Sequence, residues 1–239
     1  MLRAFFVSIA IWAGAGMAPA AIVFDKPLAT ETVAAPSRYG GAATTIICTR
    51  YPGFVLKQQV YGAGTGGSFH IGDSGRKDCG DDVETHSYYA YGTAAGAKGR
   101  FVFVFSSERN SVSNYLYVID GVSRKLVFST DSEAGPEAIS MLADGVVIRM
   151  RRSAALDCSI YYGAATACWT KVKAMTGLTD DMAPDCRPSY DAKRRKEAVA
   201  PAKIVERPSM VTYHGEVRIV GGRVSYAALP GPVGCKPLY

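Results

Sequence analysis

Short apolar, β-branched runs separated by turn residues dominate the chain, most clearly from Arg100 to Lys173. Phe101-Val102-Phe103-Val104-Phe105 has no polar position. Such a run predicts a strand buried on both faces. Tyr115-Leu116-Tyr117-Val118-Ile119 follows, and Asp120-Gly121 supplies a turn before Lys125-Leu126-Val127-Phe128-Ser129-Thr130. Asp144-Gly145 then leads into Val146-Val147-Ile148-Arg149-Met150. Runs of this length joined by short turns predict an antiparallel meander. Pro136 to Leu142 is the one stretch in this region that reads as a short helix.

Upstream, Thr44 to Cys48 and Phe54 to Tyr61 are expected strands, Gly62 to Gly67 a glycine-rich loop, and Ser87 to Tyr91 a further strand. Downstream, Val211 to His214 and Val217 to Val220 lead through Gly221-Gly222 into Arg223 to Ala227, a hairpin signal. Residues 180–208 hold four prolines and Lys193-Arg194-Arg195-Lys196, so they read as an irregular loop or linker. One helical turn is expected there, near Asp191 to Ala198. The fold class is therefore all-β: a disulfide-stapled antiparallel meander in a sandwich, barrel or propeller-like form, with an irregular linker and a C-terminal β-hairpin. Its expected divisions are a leader over 1–20, an extended lead-in over 21–43 and a β domain over 44–179. The linker over 180–208 and a hairpin over 209–239, packed on the main domain, complete it.

The leader is read from Arg3, the apolar run from Ala4 to Trp12, and Ala18-Pro19-Ala20. One early positive charge, a short apolar core and an A-x-A end are the parts of a secretory signal. The run is shorter than the ~20 apolar residues that span a bilayer. The expected location is secreted or periplasmic, with a mature chain that does not span a membrane.

Export changes the meaning of the cysteines. All six lie beyond the leader: Cys48, Cys79, Cys158, Cys168, Cys186 and Cys235. An even count in an oxidising compartment points to three bridges. Zinc would want closely spaced cysteine pairs, and none is present. Cys158 and Cys168 flank a Gly163-centred turn and are expected to face each other across a hairpin, the second arm running on through Val172. Chain order then suggests Cys48 with Cys79 and Cys186 with Cys235.

Tyr115 to Thr130 forms a strand, an Asp-Gly turn, a lysine and a strand, and in this resembles part of a β-propeller blade. The likeness covers some sixteen residues and repeats at no fixed period, so it leaves the three architectures open. Gly72-Asp73-Ser74-Gly75 looks like the nucleophile motif of chymotrypsin-like proteases, and Ile219-Val220-Gly221-Gly222 like their activated N-terminus. Here the two occur in reverse order, which argues against that mechanism. Gly62 to Gly67 lacks the following helix of a dinucleotide site.

The formal charge of +6 is mild. The basic run reads as a solvated loop, with an anionic surface as the competing use. Nucleic acid finds neither a motif nor the right compartment, and no cofactor is expected. Between His70 and His86, Asp78, Asp81, Asp82 and Glu84 are weak metal-site candidates without EF-hand spacing. Tyr88, Tyr89, Tyr91, Tyr115 and Tyr117 are candidates for stacking on a sugar or a protein. The functional expectation is a non-enzymatic binding or structural protein whose partner is a glycan or an envelope protein. A secreted hydrolase acting on polysaccharide or peptide, and a secreted enzyme inhibitor, are the competing readings.

Overall fold

A computed structural model describes residues 22–35, 44–61, 67–75, 79, 93–107, 114–132, 135–161, 166–197 and 200–238. It is mostly antiparallel β-sheet, stapled by three disulfides. A four-stranded meander occurs three times in series. The first sheet is β1 (Ala29–Ala35), β2 (Thr44–Tyr51), β3 (Phe54–Tyr61) and β4 (Gly67–Asp73). The second is β5 (Thr93–Lys98), β6 (Phe101–Ser107), β7 (Asn114–Asp120) and β8 (Lys125–Ser132). The third is β9 (Pro136–Leu142), β10 (Gly145–Ala155), β11 (Ser209–Val220) and β12 (Arg223–Ala228), with β13 (Gly234–Pro237) also pairing β11. Between β10 and β11 the chain forms α1 (Thr166–Thr176), α2 (Arg187–Glu197) and α3 (Pro201–Val205).

The strand over Phe101 to Phe105 is buried on both sides because the second sheet is the middle layer. Phe101 and Phe103 join Leu116, Val118, Val146, Ile148, Val217 and Ile219 in the core facing the third sheet. Val102 and Val104 point the other way, against Phe54, Leu56, Phe69 and Ile71 of the first. Period-2 alternation thus sends neighbouring residues of one strand into two different cores. Residues 22–28 stitch the layers together. Asp25 N–H donates to Ala97 O at 2.8 Å and Leu28 N–H to Arg50 O at 2.8 Å. The Phe24 ring lies 5.9 Å from that of Phe103.

The expected Asp120-Gly121 turn closes β7 onto β8. Asp120 Oδ1 accepts the N–H groups of Val122 and Ser123, each at 3.0 Å, and Oδ2 pairs with Arg100. Gly121 is required by close approach, since a Cβ there would lie 2.6 Å from the Phe54 ring of the first sheet. Gly221 and Gly222 both have positive φ, 54° and 75°, as the tight turn between β11 and β12 demands.

Several local expectations are corrected. Pro136 to Leu142 is strand β9, not a helix: a proline is tolerated at a strand's first residue, and pairing with β10 overrides local preference. The Cys158–Cys168 bridge exists, but it does not join hairpin arms, because Cys168 lies in α1. Cys168, Trp169 and Val172 are buried together, and that 3.6-residue spacing marks one face of a helix. The expected helical turn near Asp191 is all of α2, which begins four residues earlier. Within the lead-in, β1 pairs along its length with β2. Gly67, read as loop, begins β4. The expected strand over Ser87 to Tyr91 lies outside the described residues.

The three helices and one half of the β10–β11 ribbon share a core of Leu156, Ile160, Trp169, Val172, Tyr190, Ile204, Val211 and Tyr213. Its polar centre is Tyr190, whose hydroxyl lies 2.8 Å from Arg207 O and 2.7 Å from Ser209 Oγ. Ser209 Oγ in turn accepts Ile160 N–H at 2.8 Å. Cys186–Cys235 ties the residue just before α2 to β13.

Two stability outcomes follow. Tyr190→Phe strips a partner from buried Ser209 and should cost about 1–3 kcal/mol, read as a lower denaturant midpoint with unchanged slope. Burial alone would raise the Asp120 carboxyl. The Ser123 N–H, the Arg100 guanidinium and the Val122 N–H together hold it below its ordinary value. A folded value below the unfolded one gives stability that is present above pH about 4 and lost as pH falls through the folded value. Asp120→Asn should therefore cost about 1–2 kcal/mol at neutral pH, and the gap should close in acid unfolding curves.

Candidate functional site

The third sheet has one face in the core and one face on which the described residues place no other sheet. Register decides which side chains go where. Gly145 pairs with Val220 and Ala155 with Met210, so Val146, Ile148 and Met150 face inward with Val217 and Ile219. Val147, Arg149, Arg151 and Ser153 share the outer face with Arg218, Glu216, His214 and Thr212. Ser140 on β9 and Ser225 and Ala227 on β12 extend that face.

Its centre is Glu216, whose side chain is only 6% exposed although it belongs to an outer face. A carboxylate so far from water costs free energy unless it is paired. Here two arginines cover it. Arg149 Nε–H donates to Oε2 at 3.0 Å and Arg218 Nε–H to Oε1 at 2.7 Å. Both arginine side chains are 59% exposed. Their stems lie over the carboxylate while their heads meet water. The Arg149 and Arg218 hydrogen bonds hold the Glu216 carboxyl below the usual glutamate value, against the opposing effect of burial.

A second pair lies beside the first. His214 Nδ1 is 2.9 Å from Glu137 Oε2. Glu137 sits at the irregularity where the β9–β10 register shifts, and its side chain reaches His214 past β10. Arg151, the cross-strand partner of His214, has a buried Nε with no hydrogen-bond partner among the described residues. The arrangement can hold oxyanions: guanidinium groups fixed at one edge present their remaining N–H donors outward.

The other candidates lie elsewhere. Tyr115 and Tyr117 are half-buried on β7 with rings 6.2 Å apart, and Tyr117 packs on the core between the first and second sheets. Tyr88, Tyr89 and Tyr91 lie outside the described residues, as do Asp78, Asp81, Asp82 and Glu84. Cys79 is described, bridged to Cys48 behind the first sheet. Asp73 pairs with Arg124, and Ile219 is a core residue of β11, so the two protease-like fragments sit in strand and turn. The basic run lies on α2, where Lys193 pairs with Glu197 at 2.8 Å and Arg194 with Asp191 at 3.7 Å. Arg195 and Lys196 face solvent. Among the described residues no helix is long and apolar enough to cross a membrane.

Sequence reasoning passed over Arg149, Glu216 and Arg218. The available signal was alternation: Ile148-Arg149-Met150-Arg151 and Gly215-Glu216-Val217-Arg218-Ile219 both place charge at every second position. No protein-family model, curated protein or solved structure matches the chain.

Glu216 offers a direct check. Its contribution to stability should be present above the ordinary glutamate value of about 4.3 and disappear as pH falls through the lowered one. Carboxyl-carbon NMR should show Glu216 titrating below that range, and moving back up in Arg149→Gln/Arg218→Gln. Glu216→Gln should cost under about 1 kcal/mol, because solvent screens the exposed arginines.

Proposed function

We propose that the chain is an exported, non-enzymatic binding protein that recognises its partner with the outer face of the third sheet. The observation that carries this reading is the buried Glu216 beneath two solvent-facing arginines. Packing between the sheets does not use that group. A buried ion pair adds little net stability, so stability alone is a poor reason to build one there. Three disulfides are compatible with an oxidising compartment, where the leader-like segment would send the chain. Tyr117 packs between sheets, so that one of the candidate tyrosines serves the core.

The test is retention of the oxidised protein on a panel of immobilised polysaccharides and peptides. Ser140→Trp and Ala227→Trp replace exposed small residues on the face. Each should leave stability within about 0.5 kcal/mol and lower retention about tenfold or more, a loss of about 1.4 kcal/mol in binding. Undiminished retention in both variants would place recognition elsewhere. Turnover of a panel polysaccharide or peptide would make the protein a hydrolase instead.

A further inference from the structure

We infer that Arg149 and Arg218 form a preorganised oxyanion subsite and that the occupant of this face is an acidic polysaccharide. This inference rests on the binding role proposed above. Each guanidinium has five N–H donors. Glu216 occupies the Nε–H of both, leaving the terminal N–H groups of each for a ligand. The cost of ordering two long side chains is largely met before any ligand arrives. Glu216 neutralises one of the two cations, so the cluster keeps an excess positive charge. Arg151 and Arg223 add to it, while Glu137 is engaged with His214.

Spacing favours a chain of charges over a single ion. Arg218 lies diagonal to Arg149 across the β10–β11 pairing, a separation of about 7–8 Å. Arg151 lies two residues along β10 from Arg149, about 7 Å. An extended polyanion can meet these groups in turn.

The lining argues for a sugar polymer over a protein. Protein interfaces centre on desolvated aromatic or aliphatic anchors and deplete charge at the core. Here the centre is charged, and Ser140, Ser225 and Ala227 surround it. Among the described residues the aromatic Tyr226 points to the opposite face, beside Phe128. A hydrated polyanion instead binds by charge-assisted hydrogen bonds to guanidinium forks.

The experiment uses the oxidised full chain and four probes: polygalacturonate, dextran sulfate, neutral dextran and poly-glutamate, titrated at low and physiological salt. Binding to polygalacturonate, dextran sulfate or both, with affinity falling as salt rises, supports the proposal and tells whether carboxylate or sulfate is preferred. Arg149→Gln/Arg218→Gln should weaken that binding about tenfold or more. Arg195→Gln/Lys196→Gln removes the same charge from α2 and should change it less than about twofold. Glu216→Gln separates preorganisation from bulk charge. It makes the protein more cationic, yet it should weaken binding, about threefold, because the guanidinium groups lose their shared anchor. Three results would overturn the proposal: no binding to either acidic polysaccharide, equal loss in the α2 variant, or tighter binding in Glu216→Gln. So would a preference for poly-glutamate. Neutral or peptide binding lost in Ser140→Trp would sink the acidic sugar while leaving the binding role, whereas binding indifferent to the tryptophan variants would sink both.

Discussion

The pairing of β10 with β11 is the constraint on which the rest of the molecule depends. Eleven residue pairs run without a register shift from Gly145 opposite Val220 to Ala155 opposite Met210. One face of this ribbon serves two cores. Val146, Ile148, Met150, Val217 and Ile219 close the second sheet, and Ala154, Val211 and Tyr213 receive the helices. The opposite face carries Arg149, Glu216 and Arg218. A slip of one residue would turn one strand's apolar set toward solvent and separate the carboxylate from its arginines. Hydrophobic burial therefore specifies the charged cluster, although that cluster contributes little to stability itself.

The helical segment shows how the ribbon accommodates a long excursion. Residues 156–208 leave β10 and return to β11, and the entropy cost of closing so long a loop grows only slowly with its length. Cys158–Cys168 and Cys186–Cys235 limit the unfolded conformations of this segment. The Tyr190–Ser209 network satisfies polar groups where the chain re-enters the sheet. Trp169 Nε1–H donates to Asp180 O at 3.0 Å and fixes α1 against the following loop.

Legibility in the sequence tracked locality. Strands with strong alternation or no polar face, such as Phe101 to Phe105 and Val217 to Val220, were readable because burial dictates their pattern. The Asp120-Gly121 and Gly221-Gly222 turns were readable because few residues fit them. Cys48–Cys79 and Cys186–Cys235 followed from chain order, whereas Cys158–Cys168 was the right pair drawn from a hairpin that is not there, since Cys168 lies in α1. What failed was ambiguous period: Cys168, Trp169 and Val172 suit a strand run by composition and a helix by spacing. Pro136 to Leu142 has weak strand preference and owes its form to β10. The arginine–glutamate cluster could not be assembled, since Arg149 and Glu216 meet only through a pairing 67 residues apart in sequence. Each looked like an ordinary surface charge.

Amide hydrogen exchange along β10 and β11 tests the ribbon most directly. If one continuous pairing supports both cores and the charged face, the interior amides of both strands should be among the last to exchange. The half beside the second sheet and the half beside the helices should then open with rates within about tenfold of each other. Exchange orders of magnitude faster in the Ser153–Ala155 and Met210–Thr212 half would contradict this, showing two separately opening units where a single spine is claimed.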